Sequence, residues 1–315
     1  FFLITEERGV LLLFNKVQEK RRINHEEIIM GLWDKKDMEE DFSSDDDYGI
    51  DPEDARISQS QYRLLFRLNL SAAIVQFASS LAIFLLTIGA DNGFDFHTNY
   101  PKAVGEGGRP GGPDAQVVFN ISVGWLSGTF LALSSLDHLL VCTCFKGVYE
   151  KGISQNYNVF RWIEYAFSAS IMRIIVGVLS GVSDLYMQFL QFGLTACTML
   201  FGLIFELENR KKRLVAPSEI RWYLYWLGFI PHTFSWAVNI AFFFHSLSTG
   251  DPPGFMYAII FIIFFLDLTF PIILGLQWKA SCCLRPYVNG EIAFIILSFT
   301  SKNLLAWINF FGSNR

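Results

Sequence analysis

Residues 292–312 read IAFIILSFTSKNLLAWINFFG, and Lys302 stands near their centre. About 20 apolar residues suffice for an α-helix to cross a bilayer. A lysine in the middle of such a helix costs about 2.5–3.5 kcal/mol on insertion scales. The stretch therefore predicts a membrane helix and a reason to keep an amine inside it.

The rest of the chain agrees with a membrane protein. Of its 315 residues, 52% are hydrophobic and only 17% charged, and 32 are phenylalanine. A soluble domain of this length carries more charge. Residues 1–60 hold 16 acidic and 8 basic side chains, a net of −8, which leaves +3 for everything after them. We therefore divide the chain into an acidic tail at 1–60 and a membrane domain at 61–315. Seven windows are long and apolar enough to span as helices: 68–90, 117–143, 160–182, 185–207, 222–246, 255–278 and 291–312. The fold class is an all-α bundle of seven membrane helices.

Lysine and arginine set the expected orientation. One set of connections carries 13 of them, among them Arg56, Arg161, the run Arg210–Arg213 and Arg285. The opposite set carries 3: Lys102, Arg109 and Arg315. The N-terminus is expected in the cytoplasm and the C-terminus outside. Within the tail, DDDYGIDPED reads as solvated chain, residues 15–33 as ordinary cytoplasmic tail or else a helix on the membrane surface or on a partner, and Ser43 or Ser44 as weak phosphate acceptors.

Several chemistries are disfavoured. The loop AVGEGGRPGGPD at 103–114 is glycine-rich, but no Lys-Ser/Thr follows it; a flexible or hairpin-forming connection fits better than a phosphate loop. His138, His232 and His245 are scattered, whereas a catalytic metal needs convergent ligands, so no metal site is expected. The five cysteines show no metal-ligand spacing. No enzymatic activity and no nucleic-acid partner are expected.

Charged residues inside spans are functional candidates by default. They are Asp137, His138, Glu164, Arg173, His232, Asp267 and Lys302. An amine held in an apolar pocket suits Schiff-base chemistry with an aldehyde, and a nearby carboxylate keeps it charged. Ser298 lies one helical turn before Lys302, and Ser168 one turn after Glu164. A buried ion pair that only fixes helix packing would leave the same pattern.

Two motifs go further. FRWIEYAFSASIM (160–172) and LSFTSKNLLAW (297–307) resemble the third- and seventh-helix signatures of heliorhodopsins, supported by LSSLDH (133–138), FGLTACTMLFG (192–202) and GFMYAII (254–260). The resemblance spans about 61–312 and leaves out the acidic tail. It implies a seven-helix bundle of rhodopsin type, inverted so that the N-terminus is cytoplasmic, the orientation the charge count had reached independently. It implies all-trans retinal on Lys302, with Glu164 as counterion of the protonated Schiff base. Ser298, Ser168 and Ser134 match hydroxyls near that linkage, and His138 a histidine of the polar cavity. Trp162, Tyr165, Thr195, Thr198, Ser235 and Trp236 match pocket-wall positions.

Departures are equally specific. Ala73 stands where relatives often carry a second cavity histidine. Asp137, Arg173 and Asp267 are charges the family pattern does not lead one to expect, and Asp267 falls near a retinal contact usually filled by an aromatic. Arg173, nine residues after Glu164, points to nearly the opposite helical face and is expected to pair elsewhere. The resulting expectation is a photoreceptor that signals to a cytoplasmic protein, in lipid, as a homodimer. Light-gated proton conduction and a receptor or transporter without retinal are the alternatives.

Overall fold

The computed structural model describes residues 57–89, 93–103, 111–213, 215–250 and 254–313. Expectations for residues 1–56, for Arg109 and for Arg315 lie outside them. Helix α1 (Gln59–Thr87) starts nine residues before the window expected for it. The reason is a capping box: Gln61 N–H donates to Ser58 Oγ, and Ser58 N–H to the Gln61 side chain, satisfying donors the first turn would otherwise expose.

The second window is corrected at its start. Residues 117–122 belong to a strand, because β1 (Gly93–Pro101) and β2 (Pro113–Ser122) pair antiparallel from Gly93↔Ser122 to Pro101↔Pro113. The expected hairpin connection is thus long, with a one-residue register shift between Phe96 and His97. It is tied down where His97 N–H donates to the Ser183 carbonyl at 2.9 Å and Asn99 Nδ2 to Asp184 at 2.6 Å. Ser122 ends the strand and caps α2 (Val123–Cys142) through Gly124 N–H.

A short helix, α3 (Lys146–Ser154), precedes α4 (Val159–Ser180), which Asn158 caps and Gly181 ends at φ +100°. That left-handed conformation is glycine's, and it turns the chain within four residues into α5 (Leu185–Asn209), capped by Asp184. The fifth crossing is α6 (Trp222–Leu227) continued by α7 (Phe229–Thr249). Then come α8 (Gly254–Trp278), with Pro271 inside it, and α9 (Tyr287–Ser313). Among the described residues seven helical segments are long and apolar enough to cross a membrane, α6 and α7 counting as one.

Two apolar clusters fill the bundle. One, at the hairpin end, is built on residues such as Phe130, Ile175, Phe243 and Leu305. The other, at the α3 end, is built on Leu65, Phe205, Trp278 and Phe294. Along α4 and α9 they give way to each other around Glu164 and Lys302. Beyond α5, Arg213 is buried and donates to the carbonyls of Gln277, Leu284 and Arg285. Burial pushes its guanidinium down to about 10, so it stays charged at neutral pH. The connection between α8 and α9 is thereby tied to the end of α5.

Candidate functional site

Lys302 is 3% exposed, and its Nζ lies 2.7 Å from both oxygens of Glu164 and 2.7 Å from Ser134 Oγ. Ser134 in turn donates to Glu164 Oε1 at 2.5 Å. Three helices, α2, α4 and α9, each contribute one group to a closed triangle. An ammonium here finds three acceptors and a full counter-charge, which is what offsets its burial. Tyr165 covers the amine with its ring, 4.8 Å from the centroid.

Lys302 opens into a cavity whose wall is mainly apolar. Trp162, Tyr165, Thr195, Thr198 and Asp267 line it, as do Phe270, His232 and Gly202. A Cβ on Gly202 would fall 2.2 Å from the Trp162 ring, so glycine is what lets that indole approach α5. Pro271 has no N–H to give the Asp267 carbonyl one turn back, which loosens α8 beside the cavity. Ser235 and Trp236, expected in this wall, are placed behind it instead. Trp236 supports Arg173: the guanidinium lies 4.2 Å from its ring, and its Nε1–H donates to Asp267.

On the other side of Glu164 lies a small polar cavity lined by Asp137, His138, Asn69, Tyr149 and Ser298. His138 Nδ1 is 2.7 Å from Asn69 Oδ1. Ala73 gives this cavity no side chain and instead accepts Ser135 Oγ on its carbonyl. Asn69, one turn earlier on α1, supplies the polar partner of His138. Sequence reasoning passed over it, although a buried-face asparagine one turn before Ala73 was there to be read. Ser168 and Ser298 are buried, the first beside the Glu164 carboxylate and the second beside the Tyr165 hydroxyl.

Two charge clusters frame the site. Arg173 pairs with Asp267 at 2.5 Å, so the expectation that Arg173 finds a partner away from Glu164 is met on α8. It also means that Asp267 has a cation against it. Arg161, counted above as a connection charge, is 4% exposed, and Arg213 1%. Arg161 is held by Glu206 and, at 2.5 Å, by Glu291, and its planar fork faces both carboxylates. Asn158 Nδ2 donates to Glu291 at 2.6 Å, and Trp162 Nε1 to Glu206 at 2.7 Å. Neither Glu206 nor Glu291 was singled out from the sequence, because both fall at the ends of apolar windows and look like boundary charges.

A family model for heliorhodopsin matches residues 65–313. The chain belongs to the heliorhodopsin family. It is therefore a rhodopsin-type integral membrane protein crossing the bilayer several times, of the retinal photoreceptor kind. Among solved structures it is similar to a light-driven proton pump, LR (Mac), from Leptosphaeria maculans, with a TM-score of 0.52 and 15% identity over 82% of this chain and 97% of that one. At that identity the likeness concerns the fold alone. No curated protein sequence matches the chain.

The residues fit the chromophore that the family implies. A buried amine with a fixed counter-charge opens into a wall of aromatic and aliphatic side chains, and buried hydroxyls lie one turn away on both helices. A pocket of large apolar faces with few polar groups suits a hydrocarbon ligand with one reactive polar end.

Proposed function

We propose that this heliorhodopsin is a light receptor that carries all-trans retinal on Lys302 and reports photon capture as a conformational change at its cytoplasmic end. Lys302 supports the reading: its amine is the one basic group of the cavity held by a carboxylate and a hydroxyl together. When bound, retinal supplies an aldehyde for that amine and a conjugated chain that changes shape on absorbing light. Glu164 holds the positive charge at Lys302, and Ser134 fixes where the charge sits. The largely apolar lining lowers the local dielectric around it.

The route to a signal runs through α4. Arg161 lies one turn before Glu164 on the same helix, in the Glu206–Glu291 cluster that joins α4, α5 and α9. Any shift of charge that moves Glu164 strains this cluster, which sits toward the α3 end. On the proposed orientation, with the N-terminus inside, that end faces the cytoplasm, where a protein partner could read it. The basic connections support this side; they still outnumber the opposite ones after Arg161 and Arg213 are set aside as buried. We further propose that the chain is not an enzyme and that it works as a homodimer.

Purified protein should gain a visible absorption band with all-trans retinal, and Lys302→Ala should insert into membranes yet stay colourless. An unchanged band in that variant would reject Lys302; no band in the wild type would favour a receptor or transporter without retinal. An impermeant label on intact cells should reach a C-terminal tag and spare the acidic tail. The reverse pattern would overturn the orientation.

A further inference from the structure

The inward face of α5 is polar where an apolar one is expected. Between Leu185 and Thr195 its buried residues are Gln188, Gln191 and Thr195, at the i, i+3, i+7 spacing of one helical face. In α4 the facing positions include Arg173 and Ser180, and in α7 they include Ser235 and Asn239.

Contacts on the page set these groups at common levels. Ser246 Oγ donates to the Ser180 carbonyl, which aligns α7 with α4 as parallel neighbours. Seven residues back along each, about two turns, lie Arg173 and Asn239. On α5, which runs the other way, Gln188 packs on Gly177, where a Cβ would come within 2.6 Å of its amide. Ser170 Oγ donates to the Phe192 carbonyl. Gln191 therefore falls at the level of Arg173.

These side chains are almost fully buried: Arg173 is 3% exposed, and Gln188, Gln191 and Asn239 are 1% each. Their polar atoms go largely unanswered by the protein. Arg173 Nε and Nη1, both amide atoms of Gln191, both of Asn239 and Oε1 of Gln188 have no partner among the described residues. One such atom in a native structure calls for an explanation; seven along one seam between three helices point to a ligand with both donors and acceptors. Arg173 and Thr195 also line the main cavity, so the seam begins there. It ends near Ser180 and Ser246, beside the hairpin.

We propose that this seam between α4, α5 and α7 holds a file of bound water that connects the cavity around Lys302 to the hairpin face of the protein. Water is the ligand class that satisfies amide oxygens, amide N–H groups and a guanidinium at once, each molecule needing two to four polar partners. An anion would answer only the donors, and Asp267 already neutralises Arg173. The seam gives the cavity proton exchange with the hairpin side, Asp267 and Arg173 standing at its inner mouth.

Water in the seam is testable without chromophore. In protein with all five native cysteines replaced, Gln191→Cys and Asn239→Cys should react with a small methanethiosulfonate reagent at least tenfold faster than Ile175→Cys, an equally buried apolar control. Equal rates would overturn the proposal. Radiolytic hydroxyl-radical footprinting in ¹⁸O water keeps the wild-type sequence and so does not depend on the variants folding. Trp236, beside the seam, should incorporate label several-fold faster than Trp278, buried in the α3-end cluster. Equal labelling would equally overturn it. Neither readout requires retinal, so a failure of the photoreceptor reading leaves the result standing.

Discussion

Replacing Arg161 by methionine tests how the charged layer is held. The guanidinium is the cation between Glu206 and Glu291, all three at most 4% exposed. Methionine keeps much of the apolar contact with Phe294, whose ring lies 4.1 Å from the guanidinium carbon. It leaves two carboxylates facing each other with no counter-charge, held only by neutral donors from Asn158, Trp162 and Tyr287. Removing one partner of a buried ion pair costs about 3–5 kcal/mol, because the remaining charge stays desolvated. At about 1.4 kcal/mol per power of ten, the folding equilibrium should fall by roughly 10²- to 10⁴-fold. Unfolding in mixed micelles of rising SDS fraction, followed by tryptophan fluorescence, reads this as a lower midpoint. The decisive comparison is the triple variant Arg161→Met, Glu206→Gln, Glu291→Gln, which has the same shape without charge. It should recover most of the loss, since buried ion pairs are often replaceable by neutral groups at little cost. If Arg161→Met unfolds like the wild type, the cluster is solvated and the electrostatic argument fails. If the triple variant is as weak as the single, packing rather than charge held the layer.

Glu164→Gln removes the opposite charge 2.7 Å from Lys302. The pH at which the retinal-loaded protein changes colour on alkaline titration should fall by about one unit or more, because a nearby anion favours the cationic form; an unmoved transition would assign the counterion elsewhere. Gly202→Leu should push Trp162 into the cavity and cut retinal uptake at least tenfold without unfolding the bundle; normal uptake would show that the wall moves freely. Arg213→Met removes guanidinium hydrogen bonds to three carbonyls. Charged hydrogen bonds contribute about 1.5–3 kcal/mol each, and part of that is regained from water, so a net loss of about 2–4 kcal/mol is expected in the same SDS assay.

Spans, and the groups worth watching, were legible from the sequence because both are local properties. Twenty apolar residues make a crossing helix whatever their neighbours do, and a lysine among them is costly in any bundle. Lys302, Glu164 and Ser134 could be nominated on that ground and on the motifs around them. The hairpin was harder. Its second strand, PDAQVVFNIS, is apolar enough to pass for the start of a helix, and only pairing with residues 93–101 makes it a strand. Beyond the Glu164–Lys302 pair that the motifs implied, partnership between helices was not legible. Arg161 and Glu291 are 130 residues apart, and a charge at the edge of an apolar window reads the same whether it faces water or a buried carboxylate. The same holds for Asp267: the chain shows a carboxylate in an apolar span, and only the packing of α8 against α4 sets Arg173 beside it. Three helices also had to be laid side by side before Gln188, Gln191 and Asn239 became a seam. Hydropathy is summed along one helix, whereas burial is decided by what a neighbouring helix brings to the same level.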